Sequence, residues 1–339
     1  MAYVPHFNIT STLLSEVERI AALRERIQSA TIDLAWIPAL QKDTRTRNVH
    51  ASTAIEGNPL TLEQVRALEE GRELSRAGVR PKREIINYFA GLRYVEKNVE
   101  KKTIRHADVL ELHRILAGEV MDQGEAGKYR MMGVRVGDYL PPPTDAVSGL
   151  MFELLDWWNS DAKKLSPVLS AAILHHRFWS IHPFAEADTK SQGRTGRALS
   201  LWELYRRGFD THHIFSVDEF YWEDRPRYYR ELDAVRHLGD DLSAWLEYSA
   251  EGLRNTLERT WLRIQTIQGG SGQKLALRPR QEQLLHLLRD HGSMAPNEIW
   301  SALSVSRQGA MDLLRPLIEA GLVEKVGGAK TGHYVLKNI

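Results

Sequence analysis

Apolar residues recur mostly at the helical period. Residues 11–28 place Leu13, Leu14, Val17, Ile20, Ala21 and Leu23 on overlapping i, i+3, i+4 rows, which predicts an amphipathic helix. The same spacing predicts helices near 61–70, 82–97, 106–118, 145–160, 166–181, 194–207, 224–236 and 240–267. Strand patterning is scarce. Its best instance is 127–143, where Tyr129, Val134, Val136 and Tyr139 alternate around Gly133 and Gly137 until Pro141, Pro142 and Pro143 stop the run. A short hairpin or extended flap between helices is expected there. The fold class is therefore mainly α with one short β flap.

The pattern breaks at 267–279, where three glycines and a serine follow a long helix, the composition of a flexible linker. Beyond it, residues 280–290 carry a Leu284, Leu285, Leu287, Leu288 stripe, and Pro296 opens a second helix through Leu303. Ser304 or Ser306 caps a third helix running to about Ala320, which Gly321 ends. Two β-type runs follow, Leu322–Val326 and His333–Leu336. Three helices and a two-stranded wing resemble a winged helix-turn-helix, expected over 280–339.

The 339 residues suit about two domains. Nine Trp, eleven Tyr and eight Phe exclude a mainly disordered chain, and the lack of cysteine excludes disulfides, thiolate metal sites and Cys nucleophiles. A net charge of +1 selects neither nucleic acid nor membrane as a partner. No run approaches the roughly 18 apolar residues of a membrane span, and MAYVPHFNIT lacks the features of a signal peptide, so a cytoplasmic location is expected.

Chemistry concentrates between residues 175 and 197, HHRFWSIHPFAEADTKSQGRTGR. A neutral imidazole at His182 could take a proton from an attacking hydroxyl. A carboxylate at Glu186 suits Mg²⁺, which binds through one or two carboxylates plus substrate phosphates. Gly193 and Gly196 allow close backbone approach, and a helix N-terminus offers free N–H groups to an anion. Arg194 and Arg197, three apart, lie on one helix face where they could grip a polyphosphate.

His182-Pro183-Phe184-Ala185-Glu186 and Gly193-Arg194-Thr195-Gly196-Arg197 resemble the two halves of the Fic-family motif HPFx(D/E)GNGRxGR. RPRYYRELDAVRHLGDDLSAWLEY, residues 225–248, is similar to the segment that closes the family's nucleotide pocket, and GKYR with the run before Pro141 resembles its flap. The likeness implies an N-terminal helical region over 1–100, a Fic core over 101–266, and a protein adenylyltransferase moving AMP from ATP to a Ser, Thr or Tyr hydroxyl. It implies His182 as general base and Glu186 as the Mg²⁺ ligand. Gly193, Arg194, Thr195, Gly196 and Arg197 would bind phosphates, while Tyr228, Arg236 and Val134 of the flap would meet the nucleoside. The implied partners are ATP and a protein substrate, the chain itself among the candidates for modification, with no membrane.

The chain departs from the motif between its halves. Six residues, Ala187 to Gln192, stand where the family has Gly-Asn, an insertion of four that is close to one helical turn. Either the following helix starts a turn earlier, or the insert bulges as a loop. A loosened phosphate cradle would cost activity, which leaves a catalytically degenerate scaffold as the rival reading.

Upstream, Glu56-Gly57-Asn58-Pro59 reads as a helix end, and Thr61 with Gln64 as a capping box opening the next helix. Ser52-x-x-x-Glu56-Gly57 also matches the family's inhibitory motif [S/T]xxxE[G/N]. The resemblance implies that Glu56 pairs with Arg197 and competes with the γ-phosphate for its guanidinium. At the C-terminus, Ser306, Arg307 and Gln308 open the third helix with types that suit base-edge reading, so DNA is a candidate partner and a DNA-binding regulator a second alternative. His175, His176, His212 and His213 lack partners at metal-ligand spacing and are expected to pack or face solvent.

Overall fold

The computed structural model describes residues 3–30, 37–185, 190–209, 213–268, 279–319, 322–328 and 332–337. One unit ends at Glu258 and a second begins at Arg259, inside a long helix. The first unit contains α1 (Ser11–Ser29), α2 (Ile37–Ile55), α3 (Leu62–Glu69), α4 (Val79–Lys97), α5 (His106–Ala117) and α6 (Thr144–Asn159). After a single 3₁₀ turn come α7 (Pro167–Ile181), α8 (Lys190–Arg206), α9 (Asp218–Glu223), α10 (Arg225–His237) and the start of α11 (Ser243–Gln268). The periodicity located nine of these; α2 and α9 went unread.

Helix α7 explains the layout. Its N-cap Ser166 accepts from the Val168 N–H, Pro167 occupies the first turn, and eleven of its fifteen residues are buried. A helix apolar on all sides must sit inside its neighbours. α6 and α8 pack on it, and α8 also meets α4 and α5. Gly196 lets α8 approach, since a Cβ there would stand 3.3 Å from both His175 and Phe178.

The expected hairpin over 127–143 is reduced to one antiparallel bridge, Val136 with Tyr139, hydrogen-bonded both ways at 2.9 Å. Arg130 holds the segment together. Its side chain donates to the carbonyls of Met132 and Pro142, gathering both ends of the flap.

The second unit has its own core of Leu284, Leu288, Ile299, Leu314, Leu317, Val323 and Tyr334. Its elements are α12 (Pro279–His291), β1 (Ser293–Met294), α13 (Pro296–Ala302), α14 (Arg307–Glu319), β2 (Val323–Val326) and β3 (His333–Leu336). Ser306 provides the cap, its hydroxyl accepting from the Gly309 N–H. The two expected strands pair antiparallel, and β1, too short to show a period, adds a third in the order β1-β3-β2. Among the described residues no helix is long and apolar enough to cross a membrane.

Candidate functional site

His182 ends α7 in a left-handed conformation, φ 51° and ψ 60°. Pro183 cannot continue the helix, and histidine tolerates this region better than most residues. Arg130 fixes the turn: its Nε donates to the His182 carbonyl at 2.7 Å and its backbone N–H to the Pro183 carbonyl at 2.8 Å. The imidazole is fully buried, and among the described residues neither ring nitrogen has a hydrogen-bond partner. Burial lowers its pKa to about 4, helped by the Arg130 charge, with the Trp179 backbone working weakly the other way. Phe184 stacks on His113 with ring centres 3.5 Å apart, which fixes the chain leaving the turn. Glu186 lies outside the described residues. Among those described, no group of three or more His, Asp and Glu forms a metal cluster.

The insertion resolves toward the earlier helix start, because α8 begins at Lys190. A helix leaves its first-turn N–H groups unpaired, so those of Lys190, Ser191 and Gln192 fall there, one position before Gly193. Gly193 has another part: a Cβ on it would stand 2.2 Å from Glu56 Oε1 and 3.1 Å from Arg197 Nη1. Only a bare Cα leaves room for that carboxylate. Thr195 is fully buried within α8, and Gly196 serves the α7 packing already described.

Both motif arginines are buried. Arg197 Nη2 stands 2.9 Å from Glu56 Oε1, and its Nε donates to Ser52 Oγ at 2.9 Å. Nη2 also donates to the Ser52 carbonyl at 2.7 Å and Nη1 to the Tyr228 hydroxyl at 3.3 Å, with Asp218 Oδ2 3.5 Å from Nε. Burial works against this charge, but Tyr228, Glu56, Asp218 and Tyr88 outweigh it and raise the guanidinium well above its ordinary range. Arg194, 1% exposed, stands 3.5 Å from Glu84 Oε2. Its Nε and Nη1 have no hydrogen-bond partner among the described residues.

Glu56 reaches Arg197 because α2 ends in a Schellman turn. Gly57 at φ 86° sends its N–H to the Ala54 carbonyl and Asn58 its N–H to that of Thr53, leaving Glu56 as the last residue before the reversal. Thr61 and Gln64 then form the expected capping box of α3. The second carboxylate oxygen of Glu56 accepts from the Tyr229 hydroxyl at 3.1 Å. Tyr229, Asp218, Glu84 and Arg130 are site residues that sequence reasoning missed, since nothing at their own positions marks them.

Tyr228 joins the cluster, with its hydroxyl 3.0 Å from His175 Nε2. His175 and His176 are both buried, His176 facing the Leu232 carbonyl, so they tie α7 to α10. Arg236 is not brought to the Arg197 cluster: it pairs with Asp233 and lies 5.0 Å over the Tyr139 ring. There it lines a cavity of about 370 Å³ with Tyr3, His6, Arg177 and Trp179. Val134 is half-buried in the flap. His212 falls outside the described residues, and His213 packs on Tyr205.

Burial lowers His113 to about 3, and His176 and His182 to about 4, from an ordinary 6.5. The unfolded chain binds more protons between the two values, so stability is complete above pH 6.5 and falls as pH drops toward 4. His182 alone accounts for about 3 kcal/mol across that window. Thermal midpoints recorded from pH 7 to 4.5 are expected to fall steadily, less steeply in a His182→Asn variant.

Residues 103–204 match the Fic/DOC family. The chain is 33% identical over 225 residues to protein adenylyltransferase fic-1 of Caenorhabditis briggsae, covering 65% of this chain and 42% of that one. It is 31% identical over 260 residues to fic-1 of Caenorhabditis elegans, covering 74% and 48%. The chain thus spans about half the length of these curated relatives. A Fic family protein from Desulfovibrio desulfuricans G20 superposes with a TM-score of 0.67 at 26% identity, over 99% of both chains. The match runs through the segment that carries His182, Arg194 and Arg197, so residues 103–204 of this chain form a Fic/DOC family domain.

Proposed function

We propose that the first unit is a protein adenylyltransferase held off by Glu56. The attacking side-chain hydroxyl of a protein forms a bond to the α-phosphorus of ATP, and the bond to the β-phosphate breaks to release pyrophosphate. His182 takes the hydroxyl proton. Arg194 binds phosphate, and Arg197 takes the γ-phosphate once Glu56 leaves it. Tyr228, Val134 and the space beside Arg236 receive the nucleoside. Phosphate transfer depends chiefly on positioning and electrostatics, which is what fixed guanidiniums supply.

The observation that carries this reading is a pair of buried groups that lack a well-formed hydrogen bond among the described residues: both ring nitrogens of His182, and Nε and Nη1 of Arg194. Burying polar groups without partners costs several kcal/mol, and a bound hydroxyl and phosphate would remove that cost. Mg²⁺ suits the same arrangement, since it needs few protein carboxylates when phosphates supply the rest. Glu186 would hold it, and the ion would neutralise charge on the α- and β-phosphates. The protein target, the chain itself included, is recognised beside the flap.

Incubation with α-labelled ATP and Mg²⁺ tests the reading. Label is expected on protein with Glu56→Gly and not with Glu56→Gly/His182→Asn; equal labelling, or none in either, rejects it. Tyr229→Phe removes one of the two bonds on the Glu56 carboxylate. It is expected to raise basal labelling about three- to ten-fold, the roughly 1 kcal/mol net worth of an ordinary hydrogen bond, less than Glu56→Gly does. The alternative of a DNA-binding regulator draws on the exposed Ser306, Arg307 and Gln308 at the start of α14, where Gln308 is bonded to Asp312. Nothing there matches those buried groups of the first unit, so the enzymatic reading is preferred.

A further inference from the structure

Arg197 has Glu56 against it, and Arg194, one helical turn earlier, has a carboxylate of its own. Glu84 lies on α4, 6% exposed, with Oε2 3.5 Å from Arg194 Nη1. That contact is an ion pair without a hydrogen bond. The same Oε2 accepts instead from Asn58 Nδ2 at 2.8 Å, and Oε1 from Arg80 Nε at 3.4 Å. Asn58 also donates to the Pro81 carbonyl at 3.0 Å and accepts from the Leu60 N–H at 3.1 Å. It is the third residue of the turn that Glu56 begins. The inhibitory turn therefore touches both phosphate-binding arginines, Arg197 through Glu56 and Arg194 through Asn58 and Glu84.

We infer that Glu84 is a second restraining carboxylate, which opposes polyphosphate at Arg194 and is tied by Asn58 to the turn carrying Glu56. The inference rests on the nucleotide reading above and concerns regulation of that site. Glu84 compensates the buried Arg194 charge through Nη1, while among the described residues neither Nε nor Nη1 makes a hydrogen bond. An incoming polyphosphate is an anion, and it must settle within a few ångströms of the Glu84 carboxylate. In a buried setting such a charge is poorly screened, so Glu84 lowers the affinity for phosphate as well as holding the guanidinium in place. A displacement of the Glu56 turn would carry Asn58 with it and remove one of the two hydrogen bonds on Glu84, so the movement that releases Arg197 would also loosen the carboxylate beside Arg194.

Charge and shape can be separated at this position. Glu84→Gln keeps the outline and an acceptor for Asn58 while removing the charge; Glu84→Asp keeps the charge and shortens the reach. Binding of a non-hydrolysable ATP analogue with Mg²⁺ is measured by calorimetry on the full chain carrying Glu56→Gly. Adding Glu84→Gln is expected to tighten binding at least about ten-fold, and adding Glu84→Asp to change it less than about two-fold, since only the first removes the charge that faces the phosphate. Thermal midpoints measured alongside are expected to be lower for Glu84→Gln without nucleotide, and to rise further on adding it. Unchanged or weaker binding by a folded Glu84→Gln protein, or equal tightening by both variants, overturns the inference. If Glu84→Gln does not fold, Glu84→Met, neutral and of similar volume, carries the same expectation and the same refutation. Absence of nucleotide binding in Glu56→Gly itself sinks both this inference and the function it rests on, whereas binding there without a Glu84→Gln effect sinks this one alone.

Discussion

Glu56→Gly should raise AMP transfer by about ten- to a hundred-fold, the 1.5–3 kcal/mol of one hydrogen bond between charged groups. The gain is specific to the Arg197 contact. Glu56 Oε1 stands 2.9 Å from Nη2, with both side chains almost wholly buried, so the guanidinium is unavailable to a phosphate while the pair lasts. Removing one partner of a buried pair usually destabilises a protein by leaving the other charge alone. Here Asp218 remains 3.5 Å from Nε and Ser52 still accepts from it, so the freed arginine keeps a counter-ion and its aim. The variant should stay folded, and a ligand-free thermal midpoint close to that of the parent checks the point. Label incorporated from α-labelled ATP measures the activation; unchanged incorporation in a folded Glu56→Gly protein refutes the restraint.

The second large effect runs the other way. His182→Asn in the Glu56→Gly chain is expected to cut transfer by about 10²- to 10⁴-fold, the range of a lost general base. Asparagine suits the comparison because it tolerates the left-handed backbone at this position, where alanine would add strain. Nucleotide affinity, set by the arginines, should change by less than about two-fold, so the loss falls on turnover alone. With its pKa lowered to about 4, the imidazole is neutral throughout the neutral range, and the rate should hold down to about pH 5 before falling. A comparable fall in nucleotide affinity would make His182 a structural residue instead.

The fold was largely legible because most of it is written in apolar spacing. α7 and α8 also carry the motif, so the site's two central elements were visible together. The α2 helix was harder: its stretch Ile37–Ile55 is rich in threonine and arginine, and its buried face includes Thr44, Thr46, Arg47, Asn48 and Ser52, which no hydrophobic count registers. Only its end, at Gly57, announced itself. The flap was read as a short hairpin or extended run, and it is an extended segment with one antiparallel bridge, Val136 with Tyr139, ahead of the three prolines. The site residues divide in two. His182, Arg194, Arg197, Ser52 and Glu56 were reached because the short motifs that carry them resemble those of the Fic family. Glu84, Asp218 and Tyr229 act through contacts between elements far apart in sequence, such as Tyr229 with Glu56. Gly193 was read as a phosphate contact; that it also makes room for the Glu56 carboxylate depends on what lies opposite it.

The Arg130 side chain has a mechanical consequence. One planar group grasps the carbonyl behind the imidazole and, through its other nitrogens, the two feet of the flap. A load on the flap would therefore reach the histidine's own peptide unit through a single side chain, as a lever reaches the shaft it is keyed to. A polypeptide docked along the flap would brace that unit, which water, unable to load the flap, would leave less firmly held.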